Sequence, residues 1–177
     1  MRAEVKILGD VATMSGSGAS DADGDSLSLR LNVGPIHTTA EEIAVENALY
    51  MRSPLFTSTL PRGKTWIKLD LSKLETAMGG LLGFAPASFL SALSSPKSVT
   101  KIGSSEYHVV PAKGSGSYDV TVGADGYIHH VQSIGSALSL TVDLSDFGRA
   151  TVAPVPPASK VYTPENGTLP GLGGISA

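Results

Sequence analysis

Strict alternation of apolar and polar residues is the feature that most limits what this chain can fold into. Every second residue of 26–33 is apolar, and in 65–71 the residues Ile67 and Leu69 fall on one side of an extended chain, with Trp66 and Lys68 on the other. Side chains alternate between the two faces of a strand, so each segment predicts a strand with one buried face.

The composition favours a turn-rich β protein. Among 177 residues there are 20 glycines and 11 prolines, and 41% are apolar against 16% charged. This length fits one domain with a core of its own. The net charge is -3 without a basic cluster, which argues against a nucleic-acid partner. No cysteine is present, which excludes disulfides, thiolate metal sites and a Cys nucleophile.

The first third of the chain predicts three strands. The first spans 2–15 with a bend at Gly9-Asp10, 15–25 is turn material, and the second strand is 26–33. The third is one strand over 41–51, in which four apolar residues share a phase: Ile43, Val45, Leu49 and Met51.

The segment 49–71 predicts two strands joined by a crossing that proline interrupts. Pro54 and Pro61 cannot donate to a sheet ladder, so they confine the crossing to a loop or an edge. Helical spacing of apolar residues occurs in 74–95, and it predicts a short helix that begins at Pro86. The helix would present Phe89, Leu90 and Leu93 on one face.

The remainder predicts further strands, to a total of about eight to ten. Asp125-Gly126 between alternating segments indicates a hairpin. The stretch 137–144 places Leu138 and Leu140 in phase, and 149–153 predicts a last strand.

Two groups of residues resemble metal ligands in type. Asp21, Asp23 and Asp25 alternate as carboxylates of a calcium loop do, but the positions that would complete that pattern are Ser26 and Asn32, so a polar hairpin tip is favoured. His129 and His130 are adjacent on a predicted strand and point to opposite faces, while His37 and His108 are assigned to loops. No metal or other cofactor is predicted.

The apolar surplus is the positive functional signal. One short helix cannot cover a broad apolar sheet face, so the sequence predicts an α+β domain. That domain would have a single antiparallel sheet with a short helix and loops packed across one side. Either that face closes as an ordinary core, or it lines a cavity. The predicted apolar lining is Leu29, Leu31, Ile43, Val45, Leu49, Ile67, Leu69, Phe89, Leu93, Leu138 and Leu140.

Several landmarks carry a family resemblance. They are Tyr50-Met-Arg-Ser-Pro-Leu-Phe56, Leu60-Pro-Arg-Gly-Lys-Thr-Trp-Ile67, Pro86-x-x-Phe-Leu90, Lys101-Ile-Gly103 and Leu144-Ser-Asp-Phe-Gly148. In order and spacing the chain resembles the LppX/LprG-like lipoproteins of actinobacteria, which have the fold of the bacterial lipoprotein-localisation carriers (LolA-like). The resemblance implies that the sheet is strongly curved, as a half-barrel, with the helix and loops across its concave side. It covers most of residues 1–163, and 164–177 is expected to be a flexible Pro/Gly-rich tail. The segment 104–124 is shorter than its counterpart in these relatives.

The resemblance implies a noncatalytic protein of the cell envelope. Members of the family bind acylated lipids in an apolar cavity and are tethered outside the cytoplasm through a lipidated N-terminal Cys. This chain would then be a soluble portion of such a protein, with a lipid or another apolar ligand as its partner. The alternative is a sensor or protein-interaction module of the same fold with a filled core. A hydrolase is less supported, since no nucleophile has a partner at a recognisable spacing.

Overall fold

The computed structural model describes residues 1–8, 12–71, 90, 93–112, 116–134 and 139–164. Within these residues one sheet contains twelve strands. They are β1 (Arg2–Leu8), β2 (Ala12–Ser20), β3 (Gly24–Val33), β4 (Ile36–Val45), β5 (Ala48–Arg52), β6 (Trp66–Asp70), β7 (Pro96–Lys101), β8 (Glu106–Pro111), β9 (Ser117–Val122), β10 (Ile128–Ile134), β11 (Ser139–Ser145) and β12 (Val161–Tyr162).

The sheet is almost wholly antiparallel. Its order is β12-β6-β5-β4-β3-β2-β1-β11-β10-β9-β8-β7, and among these pairs β12 with β6 is the parallel one. The prediction of one mostly antiparallel sheet is therefore confirmed. The strand total was too low, in part because the turn at Glu46 and Asn47 was read as continuous chain.

One short helix, α1 (Pro54–Thr57), follows β5. Its first residue is a proline, which has no backbone N–H. At the start of a helix this costs nothing, because an N–H there would have no partner within the helix. Ser53 caps it: its Oγ accepts from the N–H of Leu55 (3.4 Å) and donates to the carbonyl of Thr39 (2.7 Å). Phe56 packs on Leu49 and two residues of β6. This helix occupies the crossing that the two prolines predicted.

The helix predicted from Pro86 falls mostly outside the described residues. Of its predicted apolar face, Leu90 and Leu93 are described, and the backbone at both is helical. A second short turn of helix, of the 3₁₀ type, covers Ala158–Lys160 just before β12.

The prediction of one strand over 41–51 is wrong. Glu46 and Asn47 form a two-residue turn between β4 and β5, and Glu46 has a φ of 54°. Asn47 Nδ2 also donates to Asp70 Oδ1 of β6 at 2.8 Å. A two-residue hairpin places Val45 opposite Ala48, so odd-numbered residues before the turn and odd-numbered residues after it lie on opposite faces.

The prediction of turn material over 15–25 is also wrong. Residues 15–20 belong to β2, an interior strand between β1 and β3, and only the tip at Asp21–Asp23 turns. Its Gly-Ser alternation is typical of a linker, yet the glycines permit close strand packing. A Cβ at Gly18 would lie 1.8 Å from the Ser26 carbonyl oxygen, and one at Gly16 would lie 2.4 Å from that of Ser28.

Two smaller differences concern the predicted first and last strands. The predicted first strand over 2–15 is β1 plus the beginning of β2, and its predicted bend at Gly9-Asp10 lies outside the described residues. The predicted last strand over 149–153 is irregular chain instead. The Ala153 N–H of that segment donates to Ser26 Oγ (3.1 Å), so the chain between β11 and β12 crosses one face of the sheet.

Pairing defines an apolar face and a polar face of the sheet. Among the described residues, the buried side chains of the apolar face form four clusters. The clusters are Leu49, Phe56, Ile67 and Leu69; Leu27, Leu29 and Ala40; Ala3, Ile7, Val142 and Leu144; and Val109, Val120 and Val131. The opposite, polar face carries side chains such as Glu4, Ser28 and Arg30.

The close approach at Gly18 generates a stability prediction. Gly18→Val should lower the free energy of unfolding by about 2–3 kcal/mol or more, because the new side chain has to displace the backbone of β3. Ser17→Ala, on the same strand but the other face, should change it by less than about 0.5 kcal/mol. Urea unfolding followed by circular dichroism measures both. Equal stabilities of the two variants would contradict the strand packing described above.

Candidate functional site

Most of the predicted lining residues share the apolar face. Leu29 and Leu31 lie on it in β3, and Leu49 lies directly opposite Leu69 across β5 and β6. Ile67 is fully buried there. At the other side of β1, Leu140 pairs with Ile7 and Leu93 packs on the valine cluster of β8, β9 and β10. The structure therefore brings these seven predicted residues to one face.

Two predicted lining residues lie on the wrong side of the sheet. Ile43 is opposite Ser26 and Val45 is opposite Gly24, whereas the apolar face of these strands pairs Leu29 with Ala40. The turn at Glu46 and Asn47 is the physical cause, because it reverses the phase that a continuous strand would have had. Ile43 is buried nonetheless, since the crossing segment bonds to Ser26 beside it. Phe89 and Leu138 lie outside the described residues.

The centre of the apolar face keeps accessible apolar surface. Met14, Leu31 and Met51 are each only half-buried, although they flank the fully packed pairs of β3, β5 and β6. Ala44 is likewise half-buried against the cluster of Leu49. Apolar side chains left partly open in the middle of an apolar face are the kind of surface that a nonpolar ligand covers.

Glu42 is the unusual residue of this region. It lies on the apolar face, directly opposite Leu27 of β3 and Met51 of β5. Its carboxyl keeps some accessible surface but is densely surrounded by protein atoms, and this burial raises its pKa to about 7. Within the described part of the chain it makes no hydrogen bond or ion pair. A carboxyl without a partner in an apolar layer is costly, and such groups concentrate at functional sites.

The neighbouring acid behaves in the ordinary way. Glu41 points to the polar face, where it accepts hydrogen bonds from Arg52 through both carboxylate oxygens. The Arg52 guanidinium in turn lies 5.0 Å from the centre of the Trp66 ring. Sequence analysis did not single out Glu42, because two adjacent glutamates in a strand must occupy both faces and only the register decides which one is turned inward.

The polar face carries a trough with two parts. The larger, of about 660 Å³, crosses β11, β1, β2, β3 and β4; the smaller, of about 520 Å³, is bounded by the segment after β11, and Ser17 lines both. The short side chains of serines in β2 and β3 line the bottom of the trough, and longer side chains line its sides. Four basic and four acidic residues line it: Arg2, Lys6, Arg30, Arg149, Glu4, Glu41, Asp143 and Asp146.

Three of the four histidines pair with single carboxylates, and the fourth, His37, lies 2.8 Å from the Asn32 amide oxygen. His108 donates to Asp119 and His130 donates to Asp143, both across 2.7 Å, while His129 lies 2.9 Å from Asp125. The hydrogen bond from His129 is the main reason that the pKa of Asp125 is lowered. The described residues contain no group of three metal-ligating side chains.

Two sequence expectations about these residues change. The loops expected for His37 and His108 are strands, β4 and β8, because the strands extend further than their apolar alternation. The hairpin tip predicted at 21–25 is present over Asp21–Asp23, with Asp25 already in β3: Asp21 Oδ1 accepts from the backbone N–H of Asp23 and of Gly24 (2.9 and 3.2 Å).

Comparisons with protein-family models and with curated proteins find no match to this chain. The family resemblance of the sequence therefore stays a prediction. No helix in the described ranges has the length and apolar character needed to span a membrane.

The position of Glu42 generates a pH prediction. Its folded-state pKa lies above the ordinary value of 4.5, so the unfolded chain ionises first as the pH rises. The burial penalty is absent at low pH, grows between pH 4.5 and about 7, and is constant above that range. A pKa rise of this size corresponds to about 3 kcal/mol. Glu42→Gln should therefore stabilise the protein by up to that amount at alkaline pH and hardly at all in acid.

Glu41→Gln is the matched control for this measurement. Its side chain is paired and nearly half exposed, so its replacement should change the free energy of unfolding by about 0–1 kcal/mol across the pH range. Urea unfolding at several pH values compares the two variants. A Glu42→Gln variant whose stability follows that of the parent at every pH would show that the carboxyl is fully solvated.

Proposed function

We propose that this chain is a noncatalytic domain of the cell envelope that binds or carries a lipid or another apolar ligand. The ligand would occupy a cavity between the apolar face of the sheet and the helix that the sequence predicts from Pro86. In this proposal the sheet is strongly curved, as a half-barrel, and the apolar face is its concave side. The extracytoplasmic location and the lipid anchor come from the family resemblance.

The half-buried centre of the apolar face carries the proposal. A sheet that used this face only as a core would be expected to cover Met14, Leu31 and Met51 as fully as it covers Leu29 and Ile67. This observation supports space for a ligand along this face.

The free energy of binding would come from removing alkyl surface from water. Each buried CH₂ contributes about 0.8 kcal/mol, so a long acyl chain supplies ample driving force even after the entropy of immobilisation is subtracted. Unbranched methionines such as Met14 and Met51 adapt to ligands of different shape, which suits binding of a flexible chain.

The polar trough favours a second function, a module that recognises a polymer of the envelope. Its equal numbers of acidic and basic side chains, with serine hydroxyls between them, would suit an uncharged, hydroxyl-rich chain. Binding of such a polymer that Arg30→Ser abolishes, together with failure to bind any alkyl probe, would favour this function over the first.

Native mass spectrometry of gently extracted protein tests the first function, with a co-purifying lipid as the expected result. Leu31→Glu should then weaken binding of an added alkyl probe by about tenfold or more, since it places a charge on the accessible part of the apolar face. Asn32→Glu, the next residue on the polar face, is the control and should bind as the parent does.

The proposal fails if the parent protein carries no lipid and takes up no alkyl probe. It also fails if Leu31→Glu and Asn32→Glu bind the probe equally well, because the binding surface would then lie elsewhere on the molecule.

A further inference from the structure

The apolar face has one carboxyl, that of Glu42, for which the described residues provide no hydrogen bond or ion pair. Glu42 stands opposite Leu27 and Met51, next to the half-buried surface on which the proposed ligand would lie. Structural carboxyls turned inward are normally paired or hydrogen-bonded. On the polar face of the same strand Glu41 pairs with Arg52, whereas the inward-turned Glu42 has no such partner among the described residues.

Among the described residues, no charged side chain of the elements packed against Glu42 faces its carboxyl. β3 contributes one titratable residue to this face, Asp25, which lies opposite Ala44 rather than opposite Glu42. β5 contributes Leu49 and Met51 to it, and its only charged residue, Arg52, points to the polar face. The helix α1, which also contacts β4, has no charged residue. None of these elements supplies a cation or a hydrogen-bond donor to the carboxyl.

The chemistry of a carboxyl then defines what would complete it. An ionised carboxylate only accepts hydrogen bonds, so its partner has to donate them, and in an apolar surrounding a second negative charge beside it is strongly unfavourable. Hydroxyl and ammonium groups satisfy this requirement, whereas a carboxylate or phosphate does not.

We propose that Glu42 anchors the polar end of the apolar ligand, and that the ligand is an amphiphile whose head group donates hydrogen bonds and carries no negative charge. This inference rests on the proposed function. The alkyl part would cover Met14, Leu31 and Met51, and the head group would meet the carboxyl of β4. Glu42 thereby selects the head group, while the apolar face supplies most of the affinity.

Two probes with the same alkyl chain and opposite head charge test the inference: dodecylammonium and dodecanoate, each below its micellar concentration. Binding to the full chain, freed of co-purified lipid, is measured by calorimetry at about pH 5.5 and about pH 8.5, on either side of the carboxyl's titration. At the higher pH the parent should bind dodecylammonium about tenfold or more tighter than dodecanoate. Raising the pH should strengthen the first and weaken the second.

Glu42→Gln should remove the opposite pH trends and bring the two affinities to within about threefold of each other. Glu41→Gln should keep the parent's preference, because that side chain lies on the other face. Circular dichroism confirms that both variants fold, and the isosteric change at position 42 keeps the shape of the site.

The outcomes separate the inference from the function on which it rests. If neither probe binds the parent at either pH, the proposed function is wrong. If both bind with equal affinity, or if Glu42→Gln retains the preference of the parent, the apolar site stands but Glu42 is not its anchor.

Discussion

The pairing of β1 with β11 holds the two halves of this sheet together. Within each half, neighbouring antiparallel strands follow one another along the chain, so their pairing needs only turns and short connections. β1 joins these halves, with Ile7 opposite Leu140 on one side and opposite Met14 on the other. The backbone N–H of Met1 adds a hydrogen bond to the Ser20 carbonyl of β2 at 2.6 Å. Loss of the β1–β11 pairing would leave two smaller sheets, each with an incomplete apolar face.

This arrangement explains why the two faces have separate characters. Residues directly opposite each other in paired strands point to the same face of the sheet. The antiparallel register therefore keeps apolar side chains on one face and polar side chains on the other from β6 to β8. On the apolar face the carboxyl of Glu42 has no ion-pair partner among the described residues, whereas charged side chains on the polar face form ion pairs. The residues of β2 contribute to both faces. Gly16 and Gly18 let the backbone of β3 approach closely, and the short serine side chains that alternate with them line the bottom of the trough on the polar face.

Short-range patterns predicted much of the fold. The strands β3, β6 and β11 follow from alternation, and the β9–β10 hairpin follows from Asp125-Gly126. The hairpin at Glu46 and Asn47 was missed because Glu46 has no turn-forming signature of its own, even though its φ is positive. That one omission moved two candidate lining residues to the wrong face, which is the expected cost of a phase error in a structure of period two.

The sequence alone determined that this protein is built from half-buried strands, because alternation is a local property and burial of one face follows from it. It also determined that Leu29, Leu49 and Ile67 face inward within their own strands. Only the tertiary structure decided which strands share a face and that Glu42, rather than Glu41, is turned toward the apolar side. The physical reason is that register depends on turns and on pairing between distant strands, and no single strand contains that information.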